Sequence, residues 1–213
     1  MPNQISECAY RGVVSVLLTT GQAAEELGCA VTTFRRLVQA GLLPGLSRRG
    51  VRVMIPLTAV QSLSARHHAA LGRIEAKEIA VLRVNAAQRV GEPDRAWIGF
   101  ATSLTPDDIL KALRGWWRCD AASVAAGGVL PVTLSGYVVA VLTGLERWEK
   151  NNQGRCAFPD ARLAGYITDL AAPQLVITSP VDADQRLAEL LLGARLTSHS
   201  GGAIAYVPTN TTG

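Results

Sequence analysis

The sequence is short of the residues from which metal and redox sites are built. Its 213 residues include four cysteines and three histidines. Cys8, Cys29, Cys119 and Cys156 are widely scattered, with no C-x-x-C pair and no histidine at ligand spacing. Neither a zinc site nor a disulfide framework is indicated, and the cysteines read as buried, inert thiols. A phosphate-cradling glycine loop and a G-x-S-x-G elbow are also missing, and Ser198-His199-Ser200 sits in a glycine-flanked loop without an acid partner. The expectation is a protein that is not an enzyme and holds neither cofactor nor metal. Long apolar runs are lacking too. Residues 13–18 and 137–142 fall far short of the roughly 20 residues that cross a bilayer. No membrane partner is expected, and without a leader-like N-terminus the expected location is the cytoplasm, close to the nucleoid. Lysine is scarce, at three of the 21 basic residues, so the positive charge is almost all guanidinium, which can donate in bidentate pairs.

What is present is apolar and uneven in charge. Hydrophobic residues make up 48% and charged residues 18%, the balance of a folded chain rather than a disordered one. The length allows two domains of roughly 100 residues. Residues 1–90 hold 11 Lys/Arg against 5 Asp/Glu, and residues 91–213 hold 10 against 12. The halves therefore carry +6 and −2, so a polyanion is expected to meet the first half.

The basic half also contains an ordered pattern. Thr19 and Gln22 have capping-box spacing and predict a helix that stops at Gly28. A second helix follows, with Phe34, Leu37 and Val38 on its apolar side and Gly41 as its stop. Thr32, Arg36 and Gln39 point away from that side, and Arg35 lies on its flank. Two short helices joined by a tight turn, the second polar and basic outward, have the layout of a helix-turn-helix. Next, "GLLPGLSRRGVRVMIP" reads as a hairpin turning at Arg49-Gly50, with Val51, Val53 and Ile55 in alternation and Arg48, Arg49 and Arg52 on its tip and outward face.

The run "LLTTGQAAEELGCAVTTFRRLVQAGLLPGLSRRGVRVMIPLTAVQSL", residues 17–63, resembles the winged helix-turn-helix of MerR-type regulators and phage-type excisionases. The resemblance implies double-stranded DNA as partner. It places Thr32, Thr33, Arg35 and Arg36 at the major groove, and Arg48, Arg49 and Arg52 as a wing on phosphates or the minor groove. Two departures stand out. Ala30 occupies the position where that family caps its second helix with Ser or Thr, so Thr32 or a later start is expected to supply the cap. The MerR dimer coil is not matched either: Val60, Leu63, His67, Ala70 and Ile74 keep a 3-4 spacing, but Gly72 interrupts it. Residues 57–77 are expected to form one helix, with His67 and His68 on its surface.

From residue 78 the period changes to that of strands, and the expectation is an α+β domain at 78–208 with a curved antiparallel or mixed sheet or a small barrel. Expected strands are "IAVLRV" and "AWIGFA" flanking the turn "GEPD", two around Ser135-Gly136, then "LAGYITDL", "QLVITS" and "AIAYV". Expected helices are "LTPDDILKAL", capped by Thr105, and "VDADQRLAELLLGARL", capped by Asp182. The domain plan is an extension at 1–16, a winged helix-turn-helix with its connecting helix at 17–77, the α+β domain at 78–208 and a fraying tail at 209–213. "GWWRCD", "GVLPVTLSGYVVAVL" and "GRCAFPDARLAG" resemble the small mixed barrels of the PUA and ASCH type. That resemblance implies Trp116, Trp117, Arg118 and Trp148 as candidates to stack on a base or ligand, whereas a purely structural reading has Trp116 and Trp117 closing the core at a helix end. The functional expectation is a sequence-specific transcription regulator of repressor type. The alternatives are an excisionase-like or partition-type architectural factor, and a C-terminal module for a modified base or small ligand. In the regulator reading the second domain adds dimer contacts, further DNA contacts or an effector pocket.

Overall fold

A computed structural model describes residues 16–199 and 201–209. The expected N-terminal extension lies, except for Val16, outside the described residues, as do Cys8, Ser200 and the last four residues. Strand β1 (Leu17–Thr19) leads into helix α1 (Thr20–Glu26), α2 (Val31–Gln39), the hairpin of β2 (Ser47–Arg49) and β3 (Arg52–Pro56), and α3 (Leu57–Ser64). These elements form one unit because β1 pairs antiparallel with the outer side of β3, giving a three-stranded sheet in the order β1-β3-β2. The sequence reading missed β1, which is too short to show a period.

Beyond it come β4 (Glu78–Val84), β5 (Gln88–Glu92), β6 (Arg95–Ile98), α4 (Pro106–Leu113), α5 (Ala121–Gly127), β7 (Leu130–Leu134) and β8 (Tyr137–Thr143). They are followed by β9 (Glu149–Lys150), β10 (Cys156–Ala157), β11 (Arg162–Asp169), β12 (Gln174–Ile177), α6 (Asp182–Leu191) and β13 (Ile204–Pro208). The molecule is α+β. Six strands make the main sheet in the order β12-β11-β8-β7-β4-β13, antiparallel except for the parallel pair β4–β7. The sheet is mixed and open, with β12 and β13 at its edges; a barrel would need those two paired. The expected turn at Ser135-Gly136 joins β7 and β8, and both residues have positive φ, 54° and 84°, as a two-residue hairpin of the primed type requires.

Every residue of β7 and β8 is buried, so the sheet is covered on both faces. Alternation in β4 divides the core: Ile79 and Val81 join Val138, Val141, Ala188 and Leu191 under α6, while Ala80 and Leu82 face the opposite side. On that side the apolar faces of α1, α2 and α3, through Ala23, Phe34, Leu37 and Leu63, belong to the same cluster as Leu134, Tyr137 and Leu170. The core thus runs without a break across residue 78. Backbone bonds cross there as well: Thr102 N–H donates to Ala40 C=O at 2.9 Å and Leu170 N–H to Leu42 C=O at 2.9 Å.

Several expectations need correction. The helix expected at 57–77 ends at Ser64; the chain then runs extended past His67 and His68 to a single 3-10 turn at Leu71–Arg73. Main-chain bonds to Arg195 on both sides of His68 take the place of the missing helical bonds. "GEPD" is the turn of a separate β5–β6 hairpin, whose first strand the sequence reading missed. So too was α5, a run of small residues capped by Asp120, whose carboxylate accepts from Ala122 N–H at 3.1 Å. Helix α6 is preceded by Val181, with no side-chain cap; Asp182 is already its first residue. It also stops at Leu191, because Gly193, at φ 73°, turns the chain out of the helix. Thr209, placed in the fraying tail, is buried, and its N–H donates to Lys77 C=O at 3.0 Å.

Candidate nucleic-acid interface

Local chemistry builds the two-helix unit as the sequence predicts. Thr19 Oγ1 accepts from Gln22 N–H at 3.4 Å while the Gln22 side chain accepts from Thr19 N–H at 2.9 Å, which satisfies donors at the open end of α1 reciprocally. Gly28 and Gly41 end α1 and α2 at φ 69° and 73°. At each, a later N–H returns to the helix, Cys29 to Ala24 C=O and Leu42 to Leu37 C=O. The expected replacement cap for α2 is not made. The helix starts at Val31 behind Ala30 with no side-chain bond, and the Ala30 carbonyl alone serves Thr33 and Phe34 N–H.

At 100° per residue, Thr32, Arg35, Arg36 and Gln39 fall within one arc of α2, and all four are exposed. Phe34 and Leu37 on the far side are fully buried. Thr33 leaves this stripe. It is half-buried, and its carbonyl accepts from Ser135 Oγ at 2.8 Å, so the β7–β8 turn holds α2 on its flank. Arg35, at the edge of that arc, is exposed with the others.

The hairpin places its arginines on two faces. Arg49 pairs with Arg52 and Ser47 with Met54, whereas Arg48 pairs with Val53. Directly opposed residues share a face and neighbours alternate. Arg49 and Arg52 therefore project together, and Arg48 lies on the Val53–Ile55 side, a correction to the single outward face expected. Gly50 turns the chain at φ 61°. Val51 sits at the tip rather than in the strand and is 96% exposed.

A second feature lies beside α2. A cleft of about 560 Å³ opens between the helix pair and the main sheet. Arg36, Arg83 and Arg195 line it with hydroxyl-bearing Thr33, Thr133 and Ser135, and no Asp or Glu is among its described lining residues. Arg83 and Arg195 are exposed. Neither stands out in the sequence: Arg83 lies inside an apolar strand run, and Arg195 falls within the expected helix "VDADQRLAELLLGARL". The main chain fixes Arg195, whose N–H donates to His67 C=O at 2.8 Å while its carbonyl accepts from Ala69 N–H at 2.9 Å. Tyr137 lies beneath. Burial pushes its phenol pKa up, against the pull of Arg195 and Arg66, and the neutral hydroxyl donates to Leu63 C=O at 3.2 Å. Asn85, between this cleft and a smaller one next to β6, carries the polar lining toward Gln88. Nearby, the Arg89 guanidinium stacks over Trp97 at 4.9 Å.

Trp116, Trp117, Arg118 and Trp148 do not line this cleft. Trp117 is buried, its Nε1–H donates to Leu113 C=O at 2.7 Å, and Arg95 lies over its ring at 5.5 Å. It closes the core after α4. Trp116 is half-buried, while Arg118 and Trp148 are exposed. Cys119 lies by Cys156, whose Sγ is 3.7 Å from the Cys119 carbonyl; burial first, then Cys156, pushes the Cys119 thiol up to about 12. Among the described residues no group of three or more His, Cys, Asp or Glu is placed to hold a metal ion, and no helix is long and apolar enough to cross a membrane.

Comparison with known proteins agrees with the N-terminal geometry: a family model described as a helix-turn-helix domain matches residues 17–67. The match supports DNA binding. No curated protein and no solved structure matches the chain.

Proposed function

We propose that the protein is a sequence-specific double-stranded DNA-binding regulator of repressor type. The observation that carries this reading is the stripe of Thr32, Arg35, Arg36 and Gln39, open along one side of a helix whose other side is locked in the core. Helix α2 lies in the major groove, where Arg pairs with guanine O6 and N7 and Gln with adenine N6 and N7. The β2–β3 hairpin acts as a wing: Arg49 and Arg52 grip the backbone together, and Arg48 reaches out from its other face. Discrimination belongs to the helix, and register and grip belong to the wing. In this reading the helix-turn-helix at 17–64 is the reading head, and the sheet beyond residue 78 is the scaffold that sets its angle.

The test is to select bound sequences from random duplexes and titrate the winner at several salt concentrations. Enrichment of a defined site, with an affinity that falls linearly in log–log against salt, is expected. Binding indifferent to both sequence and salt would overturn the reading.

A further inference from the structure

We propose that the cleft between α2 and the main sheet is a phosphate-binding site and that its occupant is the backbone of the duplex read by α2. The sheet thereby becomes a second DNA-contacting surface through Arg83 and Arg195. The inference rests on the DNA-binding reading above.

Three observations converge. The cleft's charge is of one sign: three guanidiniums line it, with no carboxylate among its described lining residues. Its remaining polar groups include the hydroxyl of Thr33, a donor suited to a phosphate oxygen, while the hydroxyls of Ser135 and Thr133 donate to the Thr33 and Leu82 carbonyls. Arg36 belongs to both the reading stripe and the cleft, so the cleft opens at the margin of the helix face that would enter the groove. A major groove is about 12 Å wide, and a helix lying in it has a phosphate strand along each flank. The flank of α2 at Thr33 is the one held by Ser135, and a backbone passing there meets Arg195 and Arg83. Both arginines have fixed origins, Arg83 on β4 and Arg195 on the extended segment bonded to His67 and Ala69. Their cost in side-chain ordering on binding is therefore limited to the side chains themselves.

The experiment uses the full chain with Arg195→Ala, Arg83→Ala, Arg195→Lys and, as a control on the reading stripe away from the cleft, Arg35→Ala. Thermal melting first checks that each variant keeps the wild-type fold, as exposed side chains should allow. Loss of one phosphate contact lowers the slope of log affinity against log salt by about 0.9 and weakens binding about fivefold at 0.15 M salt. Arg195→Ala and Arg83→Ala should each show that loss equally on selected and random duplexes, and Arg195→Lys should retain the wild-type slope. If both alanine variants keep the wild-type slope while Arg35→Ala loses its preferred site, the cleft does not touch DNA and the reading head stands alone. Inorganic pyrophosphate separates the other source of the same chemistry. Displacement of DNA by pyrophosphate in the wild type, but not in Arg195→Ala, supports a shared phosphate site. Pyrophosphate that binds without displacing DNA would make the cleft a small-anion site and overturn the proposal. Loss of salt-dependent binding in the wild type itself would remove both readings together.

Discussion

Arg36 and Arg49 carry the same charge and differ in what holds them. Arg36 stands on a helix anchored by Phe34 and Leu37, so in the proposed complex its guanidinium would meet a base edge at a fixed angle. Arg36→Ala should cost about 1–3 kcal/mol on the preferred site and relax specificity at one position. Arg49 projects from a three-residue strand beside an exposed turn. Arg49→Ala should weaken all sequences about equally and lower the salt slope by about one. Equal effects on a panel of single-base variants would show that helix and hairpin have exchanged roles. Gly41 matters differently. Its φ is 73°, and a Cβ there would lie 2.4 Å from Thr102 Oγ1. Gly41→Ala should cost about 1–2 kcal/mol in urea unfolding, from the left-handed backbone, before any displacement of Thr102. The helix stops, the capping box and the stripe were legible because each depends on residues within one or two turns. Arg83, Arg195 and the hold of Ser135 on the Thr33 carbonyl were not, because each depends on a contact from a distant part of the chain.

At the scale of elements, two buried charges hold helices to strands. Arg95 is nearly buried and donates to the carbonyls of Ala112 and Gly115 while pairing with Glu92 at 2.8 Å. Ala112 belongs to the last turn of α4, where unpaired carbonyls gather negative partial charge. A guanidinium from β6 therefore serves as the C-terminal partner of α4, and Arg95→Ala should cost about 2–3 kcal/mol by leaving those carbonyls unpaired. On the other face, Asp184 of α6 accepts from Arg162 Nε at 2.9 Å and from Ser179 Oγ at 2.7 Å. Burial opposes the charged form, but these donors win and hold the carboxyl below its usual range. Its contribution is thus complete above the ordinary carboxylate pKa and lost as pH falls through the lowered one. Asp184→Asn should destabilise at pH 7, and its deficit relative to wild type in urea midpoints should shrink toward pH 3. A deficit independent of pH would mean that shape rather than charge is at work. The sequence predicted α4 with its Thr105 cap and α6 approximately. It hid α5 and the end of the 57–77 helix. Small residues in α5 show no amphipathic period, and α3 ends where main-chain pairing with the Arg195 segment wins over weak helical preference.

For the molecule as a whole, the continuity of the core across residue 78 has a measurable result. Ala40 and Leu42 are bonded to Thr102 and Leu170, and Phe34 and Leu37 share a cluster with Leu134 and Tyr137. The full chain should unfold in one cooperative transition, with near-ultraviolet and far-ultraviolet signals coincident. Two resolved transitions would instead favour the independent domains that composition alone implies. The parallel contact between β4 and β7, with β13 as the other neighbour of β4, also sets a timetable. During synthesis, β4 emerges first but must wait for α4 and α5 to pass before β7 arrives, and for β8, β11 and α6 before β13. At ribosomal speeds of about 5–20 residues per second, the edge later covered by β13 stays open on the order of ten seconds. Ile79, Ala80, Val81 and Leu82 are all buried in the finished fold, so that open edge is a template for pairing between nascent chains. The yield of native protein should therefore be limited by encounters during translation, and weaker induction, which leaves fewer chains in synthesis at once, should raise it more than any change that stabilises the completed molecule.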